Sequence, residues 1–304
     1  MTQFASIFIF LCLPFSLLSQ QIITFYENPS RLFGYMTLEG DTLLPANYCQ
    51  ARPFHSGLAI VHLCQSQYAS YYTQIPALID TKGNILFKLA KRHYFPVGAI
   101  MKNNRIPVFN PTKDFGYYNI RGEEVIPFQY EKAWSFGENL AAVRERETNT
   151  IHFIDTTGKK IFQLPEGYEL MDNSSYRFSE GMIAVVDKSS GLMGFMNKKG
   201  ELVIKCQFDQ VGNFSEGKAY AAMITNSYMN FVGKNRMGYI NEKGEWVIEL
   251  PHKTANLENG CYFEGSEFND GMARMCIREN DGDCVNYGCL SVDENGKVFR
   301  EDWE

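Results

Sequence analysis

The 304-residue sequence has no long run of like charges, and no segment shows the 3.6-residue hydrophobic period of an amphipathic helix. Its formal net charge is -6, so it lacks the surplus of lysine and arginine that attracts nucleic acids and anionic membranes. We therefore expect a partner that is neutral, cationic or another protein, and no nucleic acid.

Motifs that carry catalysis are missing as well. The sequence has no Gly-x-Ser-x-Gly elbow and no phosphate-binding glycine loop. Its histidines, none of which has the spacing of a metal site, are His55, His62, His93, His152 and His252. The segment Asn280 to Asp283 lacks the spaced ligands of a calcium loop. These absences predict a protein that is not an enzyme, with no catalytic residue, no metal site and no cofactor.

Charged side chains are absent from the first 26 residues. Within them, Phe4 to Leu18 is an apolar run interrupted by two serines and Pro14, and it is shorter than the roughly 20 apolar residues that a membrane-spanning helix needs. This pattern predicts a signal peptide at residues 1–19. The mature chain, residues 20–304, is then expected to be a single repeat domain without a transmembrane segment, secreted, periplasmic or associated with the cell envelope. A retained N-terminal anchor is the alternative.

What the sequence does contain is a repeated turn signal: Asp or Asn, two further residues, then Gly. The first side chain can hydrogen-bond the turn backbone and Gly accepts positive φ, so each copy predicts a type I turn with a bulge in a β-hairpin. The turn-forming glycines are Gly83, Gly122, Gly158, Gly200, Gly244 and Gly296. Because Asn fills the first position in several copies, we interpret the recurring aspartates as turn residues rather than as catalytic acids.

A second signal alternates with the first: Phe, two residues, Gly or Asn, and a short apolar run containing Ala. Its copies begin at Phe54, Phe95, Phe136, Phe178, Phe214 and Phe268. Two hairpin turns in a period of about 41 residues imply about four short strands, which is the size of one propeller blade. The tandem repeats are approximately residues 31–72, 73–112, 113–149, 150–190, 191–232 and 233–278, with a partial copy at 284–304.

The segment from Phe115-Gly-Tyr-Tyr through Leu140-Ala-Ala-Val143 resembles the bacterial WG-repeat family, and the resemblance covers about residues 33–299. The Trp of the family's Trp-Gly pair is replaced here by Phe33, Phe115, Met193 and Met237, whereas the Gly is kept. The resemblance implies no catalytic residues.

We expect an all-β fold of six to seven blades, propeller-like, in which Ile22 to Tyr26 supplies a strand that completes the last, partial copy. An open, curved solenoid of hairpins is the alternative.

Aromatic side chains are the remaining functional candidates. Tyr68, Tyr71 and Tyr72 lie in a polar loop that interrupts the repeat, and we predict that they contact a ligand; the alternative is that they pack on a neighbouring strand. The insertion 254–267 is a second candidate. The expected function is a non-enzymatic binding or protein-interaction scaffold with a protein or glycan partner at the cell envelope. A glycan-active or metal-dependent enzyme on a propeller, or a structural envelope protein, are the alternatives.

The sequence has eight cysteines, and Cys12 leaves with the predicted signal peptide. Cys49 and Cys64 flank the Phe54 turn almost symmetrically, so a register shift of one residue would bring them opposite each other within disulfide reach. We predict this pair as a possible disulfide and Cys206 as a leftover buried thiol; reduced core cysteines are the alternative.

Overall fold

The computed structural model describes residues 22–27, 30–37, 40–64, 74–173, 175–223, 236–249, 261–279 and 288–300. These ranges contain strands and no helix, and the strands are β1 (Ile22–Glu27), β2 (Leu32–Thr37), β3 (Thr42–Ala51), β4 (Leu58–Leu63), β5 (Ile75–Asp80), β6 (Ile85–Lys88), β7 (Ile106–Phe109), β8 (Phe115–Tyr118), β9 (Glu124–Tyr130), β10 (Lys132–Ala133), β11 (Leu140–Arg144), β12 (Ile151–Asp155), β13 (Lys160–Gln163), β14 (Tyr168–Glu169), β15 (Met182–Asp187), β16 (Met193–Asn197), β17 (Leu202–Phe208), β18 (Gln210–Val211), β19 (Ala219–Met223), β20 (Arg236–Ile240), β21 (Trp246–Glu249), β22 (Cys261–Gly265), β23 (Met272–Glu279), β24 (Gly288–Asp293) and β25 (Val298–Arg300).

The strands form six antiparallel sheets arranged as a six-bladed β-propeller, which confirms the all-β repeat fold. We number the sheets blades 1 to 6 in chain order: β1–β6, β7–β9, β10–β13, β14–β17, β18–β21 and β22–β25. In blade 2 a single bridge between Tyr94 and Phe109 takes the place of the short first strand of blades 3 to 5.

The Asp/Asn-x-x-Gly turns have the geometry that their residues predict. At Asp80, the Oδ1 atom accepts hydrogen bonds from the backbone N–H groups of Lys82 and Asn84, both at 2.9 Å, and Gly83 N–H donates to the Asp80 carbonyl at 3.0 Å. Gly83 has a φ of 80°, in the left-handed region. The strand register shifts just before the turn, as a bulge requires.

The turns that follow the recurring Phe are tighter two-residue turns. In the copy that begins at Phe136, Gly137 and Leu140 exchange backbone hydrogen bonds of 2.9 and 3.0 Å, and both central residues, Glu138 and Asn139, have positive φ. Two positive φ values define a type I′ turn, whose twist matches that of the flanking strands.

Two predicted positions of this turn were wrong. The sequence pattern predicts that the turn after Phe54 is centred near His55 and Ser56, but it is centred one residue later, on Ser56 and Gly57. The Phe95 copy is not this turn at all: Lys102 and Arg105 exchange the two hydrogen bonds, and Asn103 and Asn104 supply the positive φ values. Asn tolerates left-handed backbone, so two Asn residues form this turn outside the Phe-x-x-Gly pattern.

The predicted place of the N-terminal strand was also wrong. Strand β1 pairs with β2, from Ile22 opposite Thr37 to Glu27 opposite Leu32, and thus lies at the edge of blade 1 rather than in the last blade. Pairing with the next strand along the chain needs only a short connection, which favours it over a distant partner.

Blade 6 has four strands of its own. The Phe268 turn joins β22 to β23, and β23 pairs with β24, which precedes the Gly296 turn. The segment that the sequence presents as a partial copy therefore completes a blade begun by the preceding repeat. A blade thus combines strands from two successive sequence repeats.

The core lies between the faces of neighbouring sheets, and one aromatic pair recurs in it. The ring of the turn Phe packs on an aromatic ring of the preceding blade, with ring centroids 4.7 to 5.3 Å apart, in the pairs Tyr117 with Phe136, Phe153 with Phe178, Phe195 with Phe214 and Tyr239 with Phe268. The equivalent pair Tyr35 with Phe54, at 4.6 Å, lies within the six-stranded sheet of blade 1. Between blades 1 and 2, Met101 takes the place of the Phe. These contacts hold each blade against the next.

Candidate functional site

A cavity of about 190 Å³ lies where the inner ends of the blades meet. Blades 1, 2, 4 and 6 all contribute to its wall, which includes Arg52, His55, Met101, Ser175, Arg177 and Glu267. Because residues from the first and last blades line one cavity, the blades surround a common axis. We call this space the axial cavity.

Glu267 and Arg177 form an ion pair in the axial cavity. Arg177 Nη2 donates to Glu267 Oε2 at 2.6 Å, and Asn213 Nδ2 donates to Glu267 Oε1 at 2.8 Å. Burial opposes ionisation of Glu267, but the hydrogen bond and charge of Arg177 outweigh it and lower the pKa of this carboxyl. Burial also lowers the pKa of His55, against the opposing charge of Glu267.

This network joins three blades, because Arg177 precedes the turn of blade 4, Asn213 that of blade 5 and Glu267 that of blade 6. The Arg52 guanidinium in turn donates to the Pro96 carbonyl at 2.9 Å, which links blade 1 to the segment before blade 2. The polar groups of the axial cavity are used in contacts between blades. We therefore interpret the residues around it as the contacts that close the ring, not as a binding site open to a ligand.

The turns around the axis are linked in the same way. A carboxylate at the first central position of one turn accepts the backbone N–H at the second central position of the next, at 2.9 to 3.2 Å, in the pairs Glu138 with Gly181, Glu180 with Gly217 and Glu216 with Gly271. These acidic residues are therefore structural links between blades.

A second concavity is formed by segments whose length differs from blade to blade. The segment before the two-residue turn is longer in blades 2 and 4 than in the other four blades. We call these turns the inner turns; the longer segments are residues 95–100 and 170–177, of which residue 174 lies outside the described ranges. Both segments fold over blade 3, which lies between them. They approach so closely that a Cβ added to Gly98 would overlap the Asn173 side chain.

We call the space under these segments the blade 3 groove. It has a volume of about 410 Å³ and is lined by Pro96, Val97, Phe109, Phe115, Glu131, Lys132, Arg144 and Asp172. One wall is apolar: the Phe109 ring lies 5.3 Å from both the Tyr94 and the Phe115 rings, and Val97 at the rim is 74% exposed.

The opposite side of the groove carries two cations. Lys132 and Arg144 are directly opposite each other on paired strands, with the Lys132 Nζ 4.8 Å and the Arg144 guanidinium 5.8 Å from the centre of the buried Trp134 ring. Arg144 Nη2 contacts Glu169 Oε1 at 2.5 Å, and Lys132 Nζ contacts the Asp172 carboxylate. Burial and the charge of Arg144 lower the pKa of Lys132 to about 8.

Blade 3 differs from the other described sheets in the pair of residues at this register position. The residues that face each other at the corresponding register positions are Gln50 with His62, Tyr94 with Phe109, Glu169 with Val186, Gln210 with Ala222 and Glu264 with Cys276. At this register position only Lys132 and Arg144 place two full positive charges opposite each other, an arrangement that destabilises a sheet. Elsewhere, Lys102 and Arg105 face each other across the turn of blade 2.

The predicted ligand-contact residues Tyr68, Tyr71 and Tyr72 lie outside the residues that the structure describes. Of the insertion 254–267, the described end reaches the axis, where Glu267 lies. Within the described ranges, no group of three or more His, Cys, Asp or Glu side chains is placed to hold a metal ion.

Cys49 and Cys64 are joined in a disulfide with a Cα–Cα distance of 5.4 Å, and the register between β3 and β4 shifts at Cys49. Cys206 is a half-buried free thiol whose pKa is raised by burial.

Sequence reasoning missed the groove. The sequence feature that indicates the groove is the extra length before two of the turns, at 95–100 and 170–177. A search for matching repeat copies ignores such differences in length. The part of the chain that the structure covers contains no helix of the length and apolarity needed to cross a membrane.

Solved structures of similar fold include the computationally designed Ika8 protein (TM-score 0.53, 11% identity, 93% of this chain and 84% of that chain) and Hsv2 of Kluyveromyces lactis (TM-score 0.52, 9% identity, 94% and 95%). A chain from an analysis of two prolyl endopeptidases is also similar (TM-score 0.56, 13% identity, 90% of this chain), but this chain spans only 45% of it. Identities this low show a shared fold and nothing more. No curated protein sequence matches the chain.

The family described as WG containing repeat matches the chain at residues 33–62, 115–147, 193–224 and 237–250. Each stretch begins at the Phe-Gly or Met-Gly pair of one strand and extends into or beyond the strand after the next turn. Four stretches of this six-bladed β-propeller are therefore similar to the WG containing repeat.

Proposed function

We propose that this protein is a non-enzymatic binding scaffold that holds a protein or glycan partner in the blade 3 groove. The observation that carries the proposal is the convergence of the two longer segments, 95–100 and 170–177, on one blade. In repeat proteins, insertions map to loops on one face, which is often the binding face. Loops on a rigid scaffold are where binding residues concentrate.

The groove also contains features that stability does not explain. A like-charge pair directly across two strands costs free energy, and an aliphatic side chain as exposed as Val97 gains none from burial. An apolar group of a partner would bury Val97, and an acidic group would offset the repulsion between the two cations. By contrast, the aromatic pairs and the turn residues are accounted for by the packing of the blades.

We also propose that the protein acts outside the cytoplasm, secreted, in the periplasm or at the cell envelope. The uncharged apolar segment at residues 4–18 supports export. The Cys49–Cys64 disulfide supports an oxidising compartment, because glutathione and thioredoxin keep cytosolic thiols reduced.

Site-specific photo-crosslinking tests the binding role. A photoreactive residue at Val97 lies at the rim of the groove, and one at Ile161 is a matched control, since Ile161 is an exposed aliphatic residue on blade 3 outside the groove. We expect a discrete crosslinked species in the native host from position 97 only. Equal crosslinking from both positions would favour a structural envelope protein, and no crosslink from either would contradict the scaffold.

A further inference from the structure

The two cations of the blade 3 groove are arranged to share an anion. The side chains of Lys132 and Arg144 are only 15% and 22% exposed, so water and salt screen their repulsion less than on an open surface. Trp134 lies beneath both of them. An anion that contacts both side chains from the groove relieves the repulsion, and this relief favours its binding.

Two carboxylates of the chain itself already pair with these cations, one with each. Glu169 is fixed there, because its Oε1 atom pairs with Arg144 and also accepts the Leu170 N–H at 3.1 Å. Asp172 differs: it contacts Lys132 but its side chain is 94% exposed. An exposed ion pair contributes little to stability, so the Asp172 carboxylate is exchangeable.

The opposite wall selects what is attached to the anion. Phe109 and Phe115 present ring surface to the groove, and Val97 stands exposed above them. Polar ligands gain nothing from these surfaces, whereas an apolar group beside the anion removes them from water. A groove of about 410 Å³ has room for a single ligand of amino-acid size.

From this geometry we infer that the blade 3 groove binds a carboxylate with an adjoining apolar group, as at the apolar C-terminal residue of a peptide, and that Asp172 occupies the carboxylate position until the ligand displaces it. The inference rests on the proposed binding function and names the chemistry of its ligand. Lys132 and Arg144 contact the carboxylate, while Phe109, Phe115 and Val97 contact the apolar group.

Four small probes test this inference on the full-length exported protein by ligand-detected NMR titration. N-acetyl-L-leucine carries both groups, N-acetyl-L-leucinamide lacks the carboxylate, acetate lacks the apolar group, and inorganic phosphate is an anion of another class. We expect N-acetyl-L-leucine to bind at least ten-fold more tightly than the other three. Equal binding of the amide, or tighter binding of phosphate, would overturn the inference.

Two substitutions in the groove have opposite expected effects. Lys132→Gln removes one of the two cations and should weaken binding of N-acetyl-L-leucine at least ten-fold. Asp172→Asn removes the competing carboxylate and should strengthen binding three-fold or more. Arg236→Gln is the matched control, because Arg236 lies 4.9 Å from the Trp246 ring and pairs with Glu249 but is not part of the groove. A loss of affinity in Asp172→Asn would contradict the displacement.

The pH profile gives an independent readout. With the pKa of Lys132 lowered to about 8, its charge is present at pH 7 and is lost as the pH rises through that value. The other charged groups at the site are Glu131, Arg144, Glu169 and Asp172. Affinity for N-acetyl-L-leucine should therefore fall across this range in the wild type but stay level in Lys132→Gln.

The two proposals fail in different ways. If N-acetyl-L-leucine does not bind but the Val97 crosslink forms and disappears in Lys132→Gln, the ligand chemistry is wrong and the scaffold stands. If the crosslink is absent as well, both proposals fall.

Discussion

Glycine is kept in this chain where the Trp of the family motif is not, and close backbone approach explains the difference. A Cβ added to Gly194 would lie 2.4 Å from the Ile204 carbonyl oxygen of the paired strand, closer than any real side chain permits. The neighbouring Met193 only has to fill a buried apolar space, so its exact shape matters less. A single missing Cβ thus sets the distance between two strands.

Gly200 allows the turn conformation itself to be tested. It has a φ of 79°, and a Cβ at this position would meet only ordinary contacts of 3.6 Å or more. We expect Gly200→Val to reduce the free energy of unfolding by about 1 kcal/mol or more, because a β-branched residue is strained at positive φ. Chemical denaturation measures this change. Lys199→Ala at the same turn is the control, and equal losses in the two variants would contradict the assignment.

Pairs of neighbouring sheets are held together by the recurring Phe, and one interface shows what can replace it. Phe214 of blade 5 packs edge to face on Phe195 of blade 4, at 4.8 Å between ring centroids. At the interface of blades 1 and 2, Met101 fills the same position in a cluster with Leu78. Methionine is flexible enough to fill an irregular gap, so the interface requires volume rather than an aromatic ring.

This reasoning predicts unequal costs for two substitutions of Phe214. Phe214→Met nearly conserves volume and should cost less than about 1.5 kcal/mol of unfolding free energy. Phe214→Ala leaves a cavity between two blades and should cost about 3 to 5 kcal/mol. Denaturant titration of both variants compares these costs. A loss in Phe214→Met as large as in Phe214→Ala would show that the aromatic pair itself is required.

Closure of the ring depends on contacts between residues far apart in the chain. Arg177 and Glu267, which are 90 residues apart, form the ion pair of the axial cavity, and Asn213 of the intervening blade contacts the same carboxylate. Neighbouring blades contact each other through their packed faces, and this network ties three blades together at the axis. Loss of the Glu267 charge therefore weakens the ring at its centre.

Acid should destabilise this closure in two stages. The pKa of Glu267 is lower in the folded protein than in the unfolded chain. Its ionised form therefore stabilises the fold above the ordinary carboxyl pKa of about 4.5, and this stabilisation is lost as the pH falls through the pKa of the folded state. The lowered pKa of His55 means that the unfolded chain takes up a proton first, so stability falls as the pH drops below about 6.5.

Glu267→Gln should therefore lower the free energy of unfolding by about 2 kcal/mol at pH 7, less than for a fully buried pair because the Glu267 side chain is 35% exposed. The difference from the wild type should shrink at pH 4. Denaturation at pH 7, 5.5 and 4 measures this difference. His55→Gln is the control, because it should remove only the loss of stability that begins below about pH 6.5. A constant difference at all three pH values would contradict the role of the Glu267 charge.

The sequence alone determined the strand content, the two alternating turns, the closeness of Cys49 to Cys64 and the repeat, because these depend on local backbone preference and on period. The sequence pattern placed a turn directly after Phe95, but the turn lies at Asn103 and Asn104, which adopt the positive φ values that Gly adopts in most other copies. Only the tertiary structure decided where β1 pairs, how blades are phased against repeats, and that Lys132, Arg144 and Val97 share a groove. Those outcomes depend on which distant segments come together, and no local pattern encodes the free energy of such contacts.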